Sequence, residues 1–191
     1  MQTGLFFGSF NPIHMGHLAL AEFMIGYTGL EQVWFVVSPH NPLKSKETLL
    51  ADHHRLEMVH LAIDEDNRFR VSDIEFRMPQ PSFTIETLSY LAEKFPDHKF
   101  SLIMGADNLE SFHKWKNAGM IIKNYHRFVY PRYGTSSDNL QMHENITMVK
   151  APRIEISSSF LRQAIREGKS VRYFLPEKVF VYIDRMNFYR K

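Results

Sequence analysis

The chain of 191 residues contains no cysteine. Disulfides, cysteine-ligated zinc or iron–sulfur centres and thiolate catalysis are excluded together. It has little net charge: 23 Lys and Arg against 21 Asp and Glu leave a formal +2. So balanced a chain is not a general binder of nucleic acid or membrane surfaces, and any anion it holds must be gripped by a local cluster. No apolar run approaches the length of a bilayer span. The first residues, Met1-Gln2-Thr3-Gly4-Leu5-Phe6-Phe7, offer neither a basic leader nor a long apolar stretch. No signal peptide is expected, and the cytoplasm is the expected compartment. Internal repeats and low-complexity tracts are missing. So are G-x-x-x-x-G-K-[ST] and, in the first loop, G-x-G-x-x-G, which disfavours a P-loop and the usual dinucleotide fingerprint.

What is there is ordinary for a folded globule: 44% hydrophobic and 23% charged residues. The length suits one domain, 1–191, with an ample core. The 16 phenylalanines mostly serve that core. Leu5-Phe6-Phe7 reads as a first strand, followed by a mostly apolar helix over Gly16 to Gly26. Val33-Trp34-Phe35-Val36-Val37 is a continuous apolar run, the mark of a strand covered on both faces. Ser38 to Leu50 has loop chemistry. Leu56, Val59 and Ile63 recur at helical spacing, Phe69-Arg70-Val71 is a short strand, and Ile85, Leu88, Ala92 and Phe95 stripe another helix. Phe100 to Met104 and Arg127 to Tyr130 read as strands, and Gly134 to Glu144 as an irregular insertion. Ser157 or Ser158 can cap a helix striped by Phe160, Leu161, Ala164 and Ile165, with Gly168 at its left-handed end. Pro176 can open a last helix lined by Val179, Phe180, Ile183 and Met186. This alternation predicts an α/β fold, a Rossmann-like doubly wound parallel sheet with its ligands beyond the carboxyl ends of the strands.

The loop after the first strand reads Gly8-Ser9-Phe10-Asn11-Pro12-Ile13-His14-Met15-Gly16-His17. Gly8 permits a tight turn and close approach of a phosphate to the backbone. Gly16 and His17 open a helix whose free N–H groups and positive dipole end attract anions. His14 and His17, three residues apart, can face one ligand and donate to phosphoryl oxygens. A zinc site is improbable because no third carboxylate ligand stands nearby. Far along the chain, Ser157, Ser158 and Ser159 place hydroxyls and N–H groups at another helix start, and Arg162 can reach back to an anion with a bidentate fork.

These residues resemble a known family. Gly8 to His17 is similar to the signature G-[ST]-F-[DN]-P-x-[HT]-x-G-H of the nucleotidylyltransferase superfamily. Ile156-Ser157-Ser158-Ser159-Phe160-Leu161-Arg162 matches its second signature, I-S-S-[ST]-x-[IL]-R. Three stretches between them resemble the bacterial nicotinate-nucleotide adenylyltransferases within that superfamily. They are Ser38-Pro39-His40-Asn41-Pro42-Leu43-Lys44, then Asp73-Ile74-Glu75-Phe76-Arg77 with Pro81-Ser82-Phe83-Thr84 and Thr87-Leu88, then Gly105-Ala106-Asp107 with Phe112 and Trp115. The likeness runs from about Gly4 to Ile183. Ser9, Asn11 and Ser159 stand where Thr, Asp and Thr are commoner, each keeping the polarity or the turn.

The resemblance implies an enzyme that joins nicotinate mononucleotide to the AMP part of ATP, giving nicotinate adenine dinucleotide and pyrophosphate. Its cofactor would be Mg²⁺, arriving with ATP; no metal ligands are expected on the chain. His14, His17, Lys44 and Arg162 would carry the catalysis. ATP would lie against Gly8, Ser9, Phe10, His14, Gly16, His17, Gly105, Asp107, Ile156, Ser157, Ser158 and Arg162. Asp107 could bond ribose hydroxyls or cap a helix starting near Leu109. Nicotinate mononucleotide would meet Ser9, Lys44, Thr84, Trp115 and Arg132, with the indole stacked on the pyridine. A sister enzyme using nicotinamide mononucleotide or pantetheine phosphate, and a non-catalytic nucleotide-binding regulator, are the alternatives. A homo-oligomer is left open.

Overall fold

The computed structural model describes residues 1–39, 49–132 and 145–190. Lys44 and the stretch from Gly134 to Glu144 lie outside the described residues. The elements in chain order are β1 (Gln2–Gly8), α1 (Met15–Thr28), β2 (Gln32–Val37), α2 (Asp52–Ile63), β3 (Phe69–Ser72), α3 (Thr84–Lys94), β4 (Lys99–Gly105), α4 (Ala106–Glu110), α5 (Ala118–Asn124), β5 (His126–Tyr130), β6 (Ile146–Met148), α6 (Ser158–Arg166) and α7 (Glu177–Arg185). Single 3₁₀ turns occupy Ile74–Arg77, Phe112–Lys114 and Arg172–Phe174.

The strands pair in the order β3-β2-β1-β4-β5-β6, all parallel. Side chains alternate across each strand, so a strand buried on both faces must be apolar at every position. In β2, Val33, Phe35 and Val37 point into one core with Ala21, Met24, Met58, Leu161 and Val179. Trp34 and Val36 point into the other, with Leu88, Leu91, Phe112 and Ile121. Helices α1, α2, α6 and α7 thus cover one face, and α3 and α5 the other. The doubly wound parallel sheet expected from the alternation is the one found. Its strand order reverses between β1 and β4, which opens a crevice beyond their carboxyl ends. No described helix is long and apolar enough to cross a membrane.

Several boundaries differ from the sequence reading. Helix α1 runs past Gly26 to Thr28, and the left-handed residue at its end is Gly29, at φ 76°. Helix α4 starts at Ala106 with Gly105 as its cap, so Asp107 lies in the first turn and not at the cap. Helix α5 and strand β6 have no counterpart in the expected elements; both are too short for periodicity to register. Ser157 does cap α6, its side chain accepting from Phe160 N–H at 3.1 Å, and Gly168 is left-handed at φ 71°.

Candidate active site

The crevice is walled first by the loop from Gly8 to His14. Phe10 adopts φ 43°, rare for a non-glycine residue, and its ring folds back over Gly8. A Cβ on Gly8 would come 2.8 Å from Phe10 Cζ, so only glycine fits there. His14 then caps α1 from an extended backbone, and its ring is 4% exposed. A Cβ on Gly16 would press to 3.1 Å from His14 Nδ1, so this glycine lets the ring lie over the helix start.

The two imidazoles stack, with centroids 3.7 Å apart and planes at 25°. His14 N–H donates to His17 Nδ1 at 3.3 Å. A neutral His17 ring therefore carries its proton on Nε2, as a donor on the far side of the ring. Phe6 and Phe10 pack edge-to-face with that ring, centroids 5.8 Å and 5.2 Å away, and fix its plane. Burial, with help from the charge of Arg132, lowers His14 from 6.5 to about 4. His14 is thus neutral near pH 7. In an unfolded chain it would still titrate near 6.5, so the unfolded state binds the extra proton between about 4 and 6.5. Stability contributed by His14 is complete above that window and is lost as pH falls through it. An NMR titration of the free protein should place the His14 midpoint near 4; a midpoint at 6 or above would contradict this burial.

The second signature folds onto the first. Ser158 Oγ donates to the Pro12 carbonyl at 2.9 Å, across 146 positions of chain. Arg162 Nη1 donates to the Asn11 carbonyl at 2.8 Å, and Nη2 to Ser159 Oγ at 3.3 Å. Ile156, just before the cap, packs on the core beneath. The histidine loop and the serine–arginine helix start thus form one surface carrying free helix N–H groups from both α1 and α6.

At the end of β4, Gly105 admits Asp107 and Arg132. A Cβ there would lie 2.2 Å from Asp107 Oδ1 and 3.2 Å from Arg132 Cγ. Asp107 and Arg132 pair at 3.6 Å, both half-exposed, and the guanidinium stands 5.6 Å from the Tyr130 ring centre. The charge of Arg132 is also felt at His14.

A second wall comes from the start of α3 and the turn before α5. Lys116 Nζ bonds Glu86 at 2.5 Å and sits 4.4 Å from the Phe83 ring centre, which joins the segments bearing Thr84 and Trp115. Trp115 is partly buried, 4.9 Å from Phe112 between ring centres.

Arg55 and Glu75, both buried, escaped the sequence reading as functional residues. Arg55 is fully buried and gives its hydrogens to the carbonyls of Leu50 (2.9 Å), Ser9 (2.7 Å), Ser38 (2.8 Å) and Pro39 (3.2 Å), and to Asp52 (2.5 Å). It ties the loops after β1 and β2 together. A signal for it exists: Arg55 lies three and four residues before Met58 and Val59, on the apolar face of α2. Glu75 is 3% exposed and accepts from Thr87 Oγ1 at 2.8 Å. Burial raises its carboxyl above the usual range, against hydrogen bonds from Ser38, Thr87 and Ser82. It links the β2 loop to the Thr84 wall. Among the described residues no group of three or more His, Asp or Glu could hold a metal ion.

Comparison with known proteins agrees with this geometry. Residues 5–164 match the family described as cytidylyltransferase-like. A Flavobacterium johnsoniae protein named a probable nicotinate-nucleotide adenylyltransferase is 51% identical, covering 100% of both chains. One from Christiangramia forsetii with the same name is 53% identical over 99% of this chain and 98% of its own. A solved Plasmodium falciparum nicotinic acid mononucleotide adenylyltransferase, complexed with NaAD, superposes with TM-score 0.83 at 19% identity. It covers 98% of this chain and 97% of its own, a likeness of fold.

Proposed function

We propose, from the premise that this chain belongs to the cytidylyltransferase-like family, that it is an adenylyltransferase of NAD biosynthesis. It joins nicotinate mononucleotide to the AMP moiety of ATP, giving nicotinate adenine dinucleotide and pyrophosphate. The observation that carries this reading is the docking of Ser158 and Arg162 onto the loop that bears His14 and His17. Two distant signatures enclose one place for a triphosphate at the sheet's switch point.

The reaction needs no side-chain nucleophile. The 5′-phosphate oxygen of the mononucleotide attacks the α-phosphorus of ATP in line. The bond from that phosphorus to the bridging oxygen breaks, and pyrophosphate leaves with the electron pair. The chain aligns the two phosphates and stabilises charge on the transferring group. His17 Nε2–H and the N-terminus of α1 face the α- and β-phosphates. The neutral His14 holds His17 from behind and, once a phosphate approaches, can take up a proton and add charge. Ser158 and Arg162 hold the departing pyrophosphate; Arg162 leaves the Asn11 carbonyl or shares its hydrogens. Gly8, Ser9, Phe10, Gly16, Ile156 and Ser157 shape the floor, and Asp107 with Gly105 receives the ribose. Lys44 is assigned to the phosphates by resemblance. Arg132, paired with Asp107, flanks the mononucleotide. Thr84 and Trp115 take the pyridine ring.

Adenylyl transfer from ATP calls for a divalent cation, and Mg²⁺ is the ion we propose. Among the described residues the site offers imidazoles, hydroxyls, guanidiniums and one carboxylate, Asp107, paired with Arg132, a set too poor in oxygen anions to hold Mg²⁺ by itself. The ion therefore belongs to the triphosphate, and no step here depends on a protein-bound metal.

A pyrophosphate-release assay with ATP and Mg²⁺ tests the reading. Nicotinate mononucleotide, nicotinamide mononucleotide and pantetheine phosphate serve as acceptors, and the first should be preferred. A strong preference for the amide, or no release with any acceptor, defeats it. In the same assay Trp115→Ala should raise the KM for the mononucleotide by about tenfold or more, the worth of one ring stack, while the KM for ATP stays near its original value.

A further inference from the structure

The segment after α7 packs behind this site. Beyond α7 the backbone turns left-handed at Asn187 (φ 53°) and Tyr189 (φ 65°), conformations held only when surroundings demand them. Phe188 anchors the turn: its N–H bonds the Ile183 carbonyl at 3.1 Å, and its ring lies 4.7 Å from His54 and 5.8 Å from Tyr182. Tyr189 is then delivered to the back of the phosphate loop. Its hydroxyl donates to Asn11 Oδ1 at 2.8 Å. The same oxygen accepts Leu50 N–H at 3.3 Å, and the Asn11 carbonyl accepts Arg162 Nη1 at 2.8 Å. Asn11 itself is 3% exposed and directly follows the strained Phe10.

We infer that Tyr189 is a positioning residue for adenylyl transfer: its hydroxyl holds the Asn11 carboxamide and, through Asn11, the loop that presents His14 and His17. This rests on the function proposed above. Burial keeps the phenol protonated well beyond the ordinary tyrosine range, against the pull of Arg162 and Arg55, so it remains a donor at any physiological pH. Arg55 also ties the loop, through the Ser9 carbonyl. The loop is therefore pinned at two neighbouring points, and Tyr189 supplies one of the pins. Alignment on the scale of an ångström governs the rate of such a transfer.

Tyr189→Phe keeps the ring and removes only the hydroxyl. The kcat/KM for ATP should fall about fivefold or more, the worth of one neutral hydrogen bond. The KM for the mononucleotide should stay within about twofold, and the melting temperature should drop by no more than about 4 °C. Asn11→Ala, and the double variant, complete the test. If Tyr189 acts through Asn11, the tyrosine change has no further effect once Asn11 is gone. Unchanged ATP kinetics in Tyr189→Phe, or losses that simply add in the double variant, overturn the inference. So does a variant that melts early and loses kcat with both KM values unchanged, since that is a purely structural loss. The wild type is assayed first: without pyrophosphate release there, the proposed function fails and this inference with it, whereas release in the wild type with an unaffected variant removes only the role of Tyr189.

Discussion

His17→Ala is expected to lower kcat on the order of a hundredfold or more while the protein stays folded. The ring is aimed by its neighbours and not by chance rotamer choice. Its Nδ1 accepts the His14 N–H, and its faces and edges are set by His14, Phe6 and Phe10. A donor held this way pays no reorganisation cost when charge builds on a phosphoryl oxygen. The helix start survives the change, because the backbone bond from His17 N–H to the His14 carbonyl, at 2.9 Å, does not involve the side chain. The fold should lose the bond from His14 N–H, about 1 kcal/mol, together with the ring contacts to His14, Phe6 and Phe10. Pyrophosphate release and a thermal melt, run on the same preparation, check both halves. Turnover within twofold of the wild type would take His17 out of the mechanism.

Arg55→Met should cost about 3 kcal/mol of stability or more, with a fall in melting temperature of roughly 6–12 °C. Methionine fills much of the space but donates nothing. Four carbonyls, of Ser9, Ser38, Pro39 and Leu50, would lose a donor inside the protein, and Asp52 would lose its partner. Each orphaned buried acceptor costs about 1–3 kcal/mol unless water reaches it. Burial lowers the pKa of the Arg55 guanidinium against the raising effect of Asp52, and the four carbonyls with Asp52 take the place of water around the charge. The pair with Asp52 is not an ordinary surface bridge, since the arginine side chain is 0% exposed and the aspartate 43%. Denaturant unfolding gives the number, and a loss below about 1 kcal/mol would contradict the clamp. Activity should fall as well, because the loops after β1 and β2 would no longer share an anchor.

Much of the site was legible because its chemistry is local. A turn with Gly8, His14, Gly16 and His17 announces an anion-binding helix start within ten residues, and Ser157 with Arg162 does so within six. The parallel sheet was legible for a related reason: a strand such as β2, covered on both sides, must be apolar at each position. Short elements were not. Three residues of β6 and seven of α5 are held by neighbours and carry too few periods to be read alone. Asp107 reads as a ribose ligand that could also cap a helix, and the cap is instead Gly105, with its extended backbone.

Residue types and short spacings by themselves settled the class of fold and the family that the two signature segments resemble. Only folding decided how these segments meet. Ser158 reaches Pro12 and Tyr189 reaches Asn11 across 146 and 178 positions, and no local pattern encodes a contact of that range. Burial was decided there too. It makes Arg55 a clamp, Glu75 a raised carboxyl and His14 a neutral ring, because the cost of a charge depends on what surrounds it in space and not on its neighbours along the chain.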